Sequence, residues 1–256
     1  MNASLLLPAD PHPVSLIGPP LASGPLVFLG DHAGSLIPSS LGTLGVGEED
    51  RRRHIALDIG VGSLGRLLAQ HFGAPFVSQV YSRLVIDCNR DPADPTAMPP
   101  VTDGTMVAGN RDLSATDRAD RVAGIHEPYH AAIADLLDQR IAAGLPSIVV
   151  ALHSFTPMLT ATGKARPWQA GVLYGGPGDD YGRRVLAQLQ RVPDLTAGDN
   201  EPYAFGGTDY TVPRHCFARG LEWLELEVRQ DLLADDAGVA AVAEWLAPVL
   251  QRAITG

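Results

Sequence analysis

Short apolar runs alternating with longer amphipathic stretches are what most constrain the fold of this chain. Runs at 25–30, 76–80, 83–87, 147–152, 170–174 and 221–228 read as strands. Apolar and β-branched residues bounded by turn formers suit a buried strand. Between them, 48–72, 114–143, 179–190 and 237–254 read as helical. Ser114 is the expected N-cap of the second stretch, which Pro128 should kink or divide. Val239, Val242, Leu246, Val249 and Leu250 form one stripe of the last. This alternation predicts an α/β class with a largely parallel sheet. Residues 1–24, interrupted repeatedly by Pro, read as an extended arm before a single domain over 25–256. A Pro-rich loop from Asn89 to Leu113 is long enough to be functional.

An open sheet binds ligands beyond the carboxyl ends of its strands, so the residues that end each run matter most. PLVFLG leads into Asp31-His32-Ala33-Gly34, where Gly34 permits a tight turn. IVVAL leads into His153-Ser154-Phe155. Either His alone fits a hydrogen-bonded loop residue. Two strand-end histidines among only eight resemble a metal site, and zinc favours imidazole. The run Leu84-Val85-Ile86 delivers Asp87, Asn89 and Arg90. A guanidinium beside an amide suits a carboxylate, although an Arg closing a surface loop looks the same. In LEWLELEV, Leu224, Leu226 and Val228 share one face; Glu225 and Glu227 share the other with Leu221 and Trp223. Glu227, towards the carboxyl end, is the candidate general base on metal-bound water. Glu222 and Glu225 read as a solvent-facing acidic edge.

His126-Glu127-Pro128-Tyr129-His130 matches the H-E-x-x-H zinc signature. That signature needs one intact helix through all five residues. Pro128 is comfortable only near a helix start, which leaves His126 outside and the two rings on different faces.

A length of 256 residues can bury a sizeable core. The net charge of −10 excludes a general nucleic-acid surface, and no apolar run is long enough to span a membrane. Cys88 and Cys216 make no disulfide framework. No basic start followed by an apolar core marks a signal peptide, so a cytoplasmic enzyme is expected.

DHAGSLIP, LGTLGVGEEDRRRHIALDIG, YSRLVIDCNRDP, ALHSFTP, GDNEPY and LELEVRQDLL, in this order from about Leu26 to Leu233, resemble the N-formylglutamate amidohydrolase family. The resemblance implies a zinc carboxypeptidase type of fold: a three-layer sandwich, phosphorylase/hydrolase-like, with a central mixed sheet flanked by helices. It implies one zinc per chain with His32 and His153 as ligands, Glu227 as base, and Asn89 and Arg90 holding a substrate carboxylate. The carboxypeptidase pattern carries a metal-binding Glu three residues after the first His, where this chain has Ser35. Asp58 is the candidate third ligand, four residues after His54 and on the same face if that segment is helical. His54 and Asp58 could equally form a surface pair, and Asp31, Glu48 and Glu49 are alternatives. Arg83 could add charge for the substrate or pair with Asp87. Asn200 and Tyr203 are candidate substrate contacts, although Gly198-Asp199-Asn200 also suits a turn. His215 and Arg214 are weaker candidates for polarising the scissile carbonyl.

The implied reaction is hydrolysis of N-formyl-L-glutamate to formate and L-glutamate, a step of histidine degradation. Another N-acyl amino acid, or a small peptide-like amide, would use the same machinery. A carboxylate-binding protein on a degenerate hydrolase fold is the non-enzymatic rival. The expected partner is a small molecule carrying a carboxylate. The roles of His54, Cys88 and His215, and the oligomeric state, are not legible in the sequence.

Overall fold

All of Ile148–Phe155 is buried, as a central strand requires. The structure, a computed structural model, describes residues 5–158 and 163–255. In chain order the elements begin β1 (Val14–Ile17), β2 (Leu26–Gly30), α1 (Val61–Phe72) and β3 (Phe76–Gln79). A small hairpin, β4 (Val101–Thr102) with β5 (Thr105–Met106), precedes α2 (Ala115–Arg121) and α3 (Glu127–Ala142). Then come β6 (Ile148–Phe155), β7 (Ala170–Leu173), α4 (Asp180–Leu189), β8 (Ala197–Asp199), β9 (Glu222–Arg229) and α5 (Asp236–Ile254).

Seven strands form one mixed sheet in the order β1-β3-β2-β6-β9-β7-β8. The central four, β3, β2, β6 and β9, are mutually parallel. β1 pairs antiparallel with β3, and β7 antiparallel with β9. Successive side chains alternate between faces. Ile148, Val150 and Leu152 therefore share one core with Leu224, Leu226 and Val228, covered by α1, α4 and α5. Val149, Ala151 and Trp223 face a second core, covered by Tyr129, Ile133 and Leu137 of α3. The result is the three-layer α/β sandwich. Val242, Leu246 and Leu250 of the α5 stripe are buried, and each stabilises the packing by roughly 1.5–3 kcal/mol.

Within the first 24 residues, Val14–Ile17 form the edge strand β1. Its continuation is pinned by Arg140, fully buried, which donates to the carbonyls of Pro20, Ala22, Gly24 and Pro146. No helix is long and apolar enough to cross a membrane among the described residues.

Several expectations need correction. Residues 83–87 are not a strand: Leu84, Val85 and Ile86 are buried in the second core, but Val85 N closes a turn on Ser82 O. An apolar triplet reports burial, not a ladder. Residues 48–72 hold a short 3₁₀ turn (Asp50–Arg52) and α1, so His54 and Asp58 share no helix. The stretch 114–143, capped by Ser114, is divided into α2 and α3 by a π turn at Val122–His126. Pro128 falls in the first turn of α3, where its missing N–H leaves no gap.

Candidate active site

Three central strands deliver the reactive groups from their carboxyl ends. β2 ends at Gly30 and releases Asp31 and His32, both buried. The next loop is held by Gly34, where a Cβ would lie 2.2 Å from the Val80 backbone. Close approach, rather than a tight turn, is what that glycine serves. The loop before α1 brings in Asp58, whose N–H donates to His32 O at 2.9 Å. β6 carries His153, directly beside Glu227 of β9 in the register.

His32 Nδ1 and His153 Nδ1 lie 3.5 and 3.0 Å from the same Asp58 Oδ2. His32, Asp58 and His153 offer ligand atoms within 4.8 Å of one another, the one such His/Cys/Asp/Glu group among the described residues. The far nitrogens face carboxylates: His32 Nε2 donates to Asp87 Oδ1 at 2.7 Å, and His153 Nε2 lies 3.7 Å from Asp31 Oδ2. Tyr129 OH of α3 in turn donates to Asp31 Oδ1 at 2.7 Å.

These residues fit a divalent metal. His32 Nδ1 is buried without a hydrogen-bond partner, while Asp87 fixes the ring proton on Nε2. A carboxylate behind a ligating imidazole is the usual support of a metal-binding histidine. The donor set, two imidazoles and a carboxylate, suits zinc. Burial opposes the imidazolium of His153, but its hydrogen bond to Asp58 and that charge raise it to about 10. The Asp58 and Asp87 carboxyls resist burial and sit well below the usual range, Asp58 beside His32 and His153 and Asp87 beside Arg83 and His32.

A cavity of about 380 Å³ opens over this cluster. Glu227 lines it, 6% exposed, with Oε2 unpartnered; burial pushes its carboxyl up to about 7 against the pull of His153. Glu225 lines it as well and is 2% exposed with Oε1 unpartnered, so the solvent-facing reading fails. Burial, then the Asp209 charge, push its carboxyl well above the ordinary value. Glu222, at the amino end of β9, is half-exposed and paired with Arg184 at 2.9 Å, away from the cavity lining.

Asn89 and Arg90 both line the cavity. Asn89 Oδ1 accepts from Tyr210 N and Thr211 N, each at 2.9 Å, so what it offers a ligand is its Nδ2 donor. Arg90 Nη1 donates to Thr208 O at 3.0 Å and lies 3.9 Å from Asp209. Arg83 lines the cavity with its donors engaged, Nη2 on Asp87 at 2.6 Å and Nη1 on Asp58 at 3.3 Å. It braces the carboxylates around the histidines. Tyr203 lines the cavity, and its OH accepts from Arg166 Nη1 at 3.1 Å.

Other expected residues are placed elsewhere. Asn200 does not line the cavity; its Oδ1 accepts from Tyr174 N at 3.1 Å and serves a turn. His54 reaches the cavity wall but faces Asp103 at 3.4 Å, and Glu48 pairs with exposed Arg52. His215 lies away from the cavity in a buried cluster with His126 and His130. His126 and His130 are adjacent, ring centroids 4.4 Å apart, because the π turn carries the helix through Pro128. Both rings are nonetheless committed to carbonyls: His126 Nε2 donates to Arg90 O at 3.1 Å and His130 Nε2 to Cys88 O at 2.9 Å. The pairing of Arg83 with Asp87 was among the readings of the sequence, whereas the support that Asp87 gives His32 and Arg166 gives Tyr203 was missed. Asp87 carried a signal, an acid buried at the end of an apolar run.

A three-layer α/β enzyme, with its reactive groups converging at the carboxyl ends of parallel strands, is what this fold and site define. The chain belongs to the N-formylglutamate amidohydrolase family, amide-cleaving hydrolases whose family model matches residues 24–234. Among solved structures it is similar to a gene product from Agrobacterium tumefaciens, with 32% identity, 98% of each chain covered and a TM-score of 0.93. It shares its fold with an N-formylglutamate amidohydrolase from Ralstonia eutropha, at 20% identity, 95% of this chain and 98% of that one, and a TM-score of 0.67. No functionally curated protein matches it.

Proposed function

We propose that this chain hydrolyses the amide bond of an N-acyl amino acid with the help of a zinc ion held by His32, Asp58 and His153. One observation carries the reading: that ligand cluster shares a cavity with the buried, unpartnered Glu227 carboxyl and the Asn89–Arg90 pair. When bound, such an ion supplies positive charge that polarises the scissile carbonyl and acidifies water.

The remaining chemistry belongs to the side chains. Glu227, as a carboxylate, takes a proton from the attacking water and returns it to the leaving nitrogen. The water oxygen joins the acyl carbon and the C–N bond breaks, giving an acid and a free amino acid. Arg90 and the Asn89 amide hold the substrate carboxylate and fix the scissile bond against Glu227. The Tyr203 hydroxyl, accepting from Arg166, keeps its own proton to donate to the developing oxyanion.

The family points to N-formyl-L-glutamate, yielding formate and L-glutamate as in histidine degradation, and it is the first substrate to assay. The buried Glu225 favours a second reading, a different N-acyl amino acid. Metal analysis of the purified protein, with formate release measured before and after chelation, tests the proposal. About one zinc per chain and chelator-sensitive release are expected. No metal, and no gain when zinc is added, would favour a carboxylate-binding protein instead.

A further inference from the structure

The segment His126-Glu127-Pro128-Tyr129-His130 takes no part in the chemistry above, yet it touches both halves of the site. On one side Tyr129 OH donates to Asp31 Oδ1 at 2.7 Å, and Asp31 Oδ2 lies 3.7 Å from His153 Nε2. On the other, His126 Nε2 donates to Arg90 O at 3.1 Å and His130 Nε2 to Cys88 O at 2.9 Å. Those two carbonyls bracket Asn89. Asn89 and Arg90 both line the cavity.

The loop held in this way belongs to no strand or helix. Its amides lean on Asp87: Asn89 N donates to the Asp87 carboxylate at 2.9 Å, and Arg90 N reaches Asp87 O at 3.3 Å. A second loop is tied to the same helical turn. Tyr210 N and Thr211 N donate to Asn89 Oδ1, and the Tyr210 ring lies 5.3 and 5.1 Å from the rings of His126 and His130. Both imidazoles are almost fully buried, and burial keeps them neutral, so each has one N–H to give and gives it to this loop. Arg90 feels the result most. Its Nη1 donates to Asn89 O and Thr208 O, while Nε and Nη2 have no hydrogen-bond partner among the described residues. Where those two donors point is set by the backbone that His126 holds.

We propose that His126 and His130 are positioning residues: they fix the Asn89–Arg90 pair relative to His153 and Glu227, so that a carboxylate bound there brings the scissile bond to the reacting groups. Misplacing an anchor by an ångström costs turnover even when no reacting group is touched. The effect on turnover rests on the hydrolytic reading above; the effect on the loop does not. A π turn directly before the segment fits this role, because such turns recur where a helix must be re-aimed at a functional site.

Satisfying two buried carbonyls would be a purely structural role, and two measurements separate it from positioning. The first is amide hydrogen exchange of the zinc-loaded protein without substrate. In His126→Leu the 88–90 and 208–211 segments should exchange about tenfold faster, with β6 and the metal content unchanged. His126→Gln, whose amide can still donate to Arg90 O, should restore protection. Unchanged protection of both loops, or an equal rise in β6, would overturn the proposal.

The second is a double-mutant cycle on kcat/KM for N-formyl-L-glutamate. His126→Leu alone should lose about 30-fold, mostly as a raised KM, and His126→Gln should recover most of it. In an Arg90→Ala background the same substitution should cost at most about threefold, the share left to Asn89, because the group it positions is gone. An equal cost in both backgrounds would refute action through Arg90. If the wild type hydrolyses nothing, the hydrolytic reading has failed. The cycle is then read from the calorimetric Kd for N-acetyl-L-glutamate, and hydrogen exchange alone decides if that ligand does not bind.

Discussion

Two histidine clusters lie in this molecule at similar spacing, and they differ in chemistry. The rings of His32 and His153 are 5.1 Å apart; those of His130 and His215 are 5.2 Å apart and stacked. Around the first pair every ring nitrogen faces a carboxylate, Asp58 on the inner side and Asp87 or Asp31 on the outer. In the second, His130 donates to a carbonyl and accepts from His215 Nε2 at 2.9 Å, while His126 donates to another carbonyl. Carboxylates hold imidazoles ready for a cation. Carbonyls and other imidazoles keep them neutral and use them to fix the 88–90 loop that presents Asn89 and Arg90. The partners of a ring, not the distance between rings, separate the proposed metal site from the carbonyl-bound cluster.

The largest effect should come from breaking the first cluster. His153→Ala should lose its stoichiometric metal and more than about a thousandfold in kcat/KM, whereas His130→Gln should keep the metal and lose about 1–3 kcal/mol of stability. Metal analysis and denaturant titration of both variants check this. Equal metal loss in the two would erase the distinction.

Glu227→Gln should lower kcat by about 10²–10⁴ with metal content unchanged, as removal of a general base does. Single-turnover formate release read beside metal analysis shows whether chemistry alone has been lost. Activity near that of wild type with full metal would remove Glu227 from its role.

Asp87→Asn should be milder. The amide can still accept from His32 Nε2, but the charge behind the ring is gone, and loss of such support weakens metal affinity by about 10–100-fold. Competition with a chromogenic chelator measures it, and an unchanged affinity would mean that Asp87 serves only Arg83.

The sequence showed the ends of this comparison more clearly than its middle. The runs at β2, β6 and β9 were legible because apolar residues had to be continuous there, and their ends exposed His32, His153 and Glu227 as a group. Asp58 was reached for the wrong reason: the supposed helix with His54 does not exist, and the loop before α1 brings Asp58 to His32 through a backbone hydrogen bond. The burial of Glu225 was missed because alternation shows which residues share a face, not what covers that face. Leu221 and Trp223 marked that face as not simply solvated, but the sign was applied to Glu227 and not to Glu225. His126 and His130 were separated on the strength of Pro128, but a π turn is a backbone adjustment that spacing rules do not contain.

The second cluster can be tested by acid. Burial, followed by the Arg214 charge, pushes the His215 imidazole down to about 3, and burial lowers His126 and His130 as well. In the unfolded chain such a histidine titrates near 6.5. As pH falls below that value the unfolded state takes up a proton that the folded state refuses, so stability is full above about pH 6.5 and drains away towards pH 3. Between pH 7 and 5 His215 alone should remove about 2 kcal/mol. The depressed carboxylates Asp58 and Asp87 contribute little there, because their unfolded counterparts titrate only near 3.8. Unfolding free energies of wild type and His215→Gln at pH 7 and pH 5 measure the difference. The variant should start less stable, having lost its bond to His130, yet lose about 2 kcal/mol less on acidification. A slope as steep as that of the wild type would mean that His215 takes up its proton within the fold, and the cluster would then be a charged one like the first.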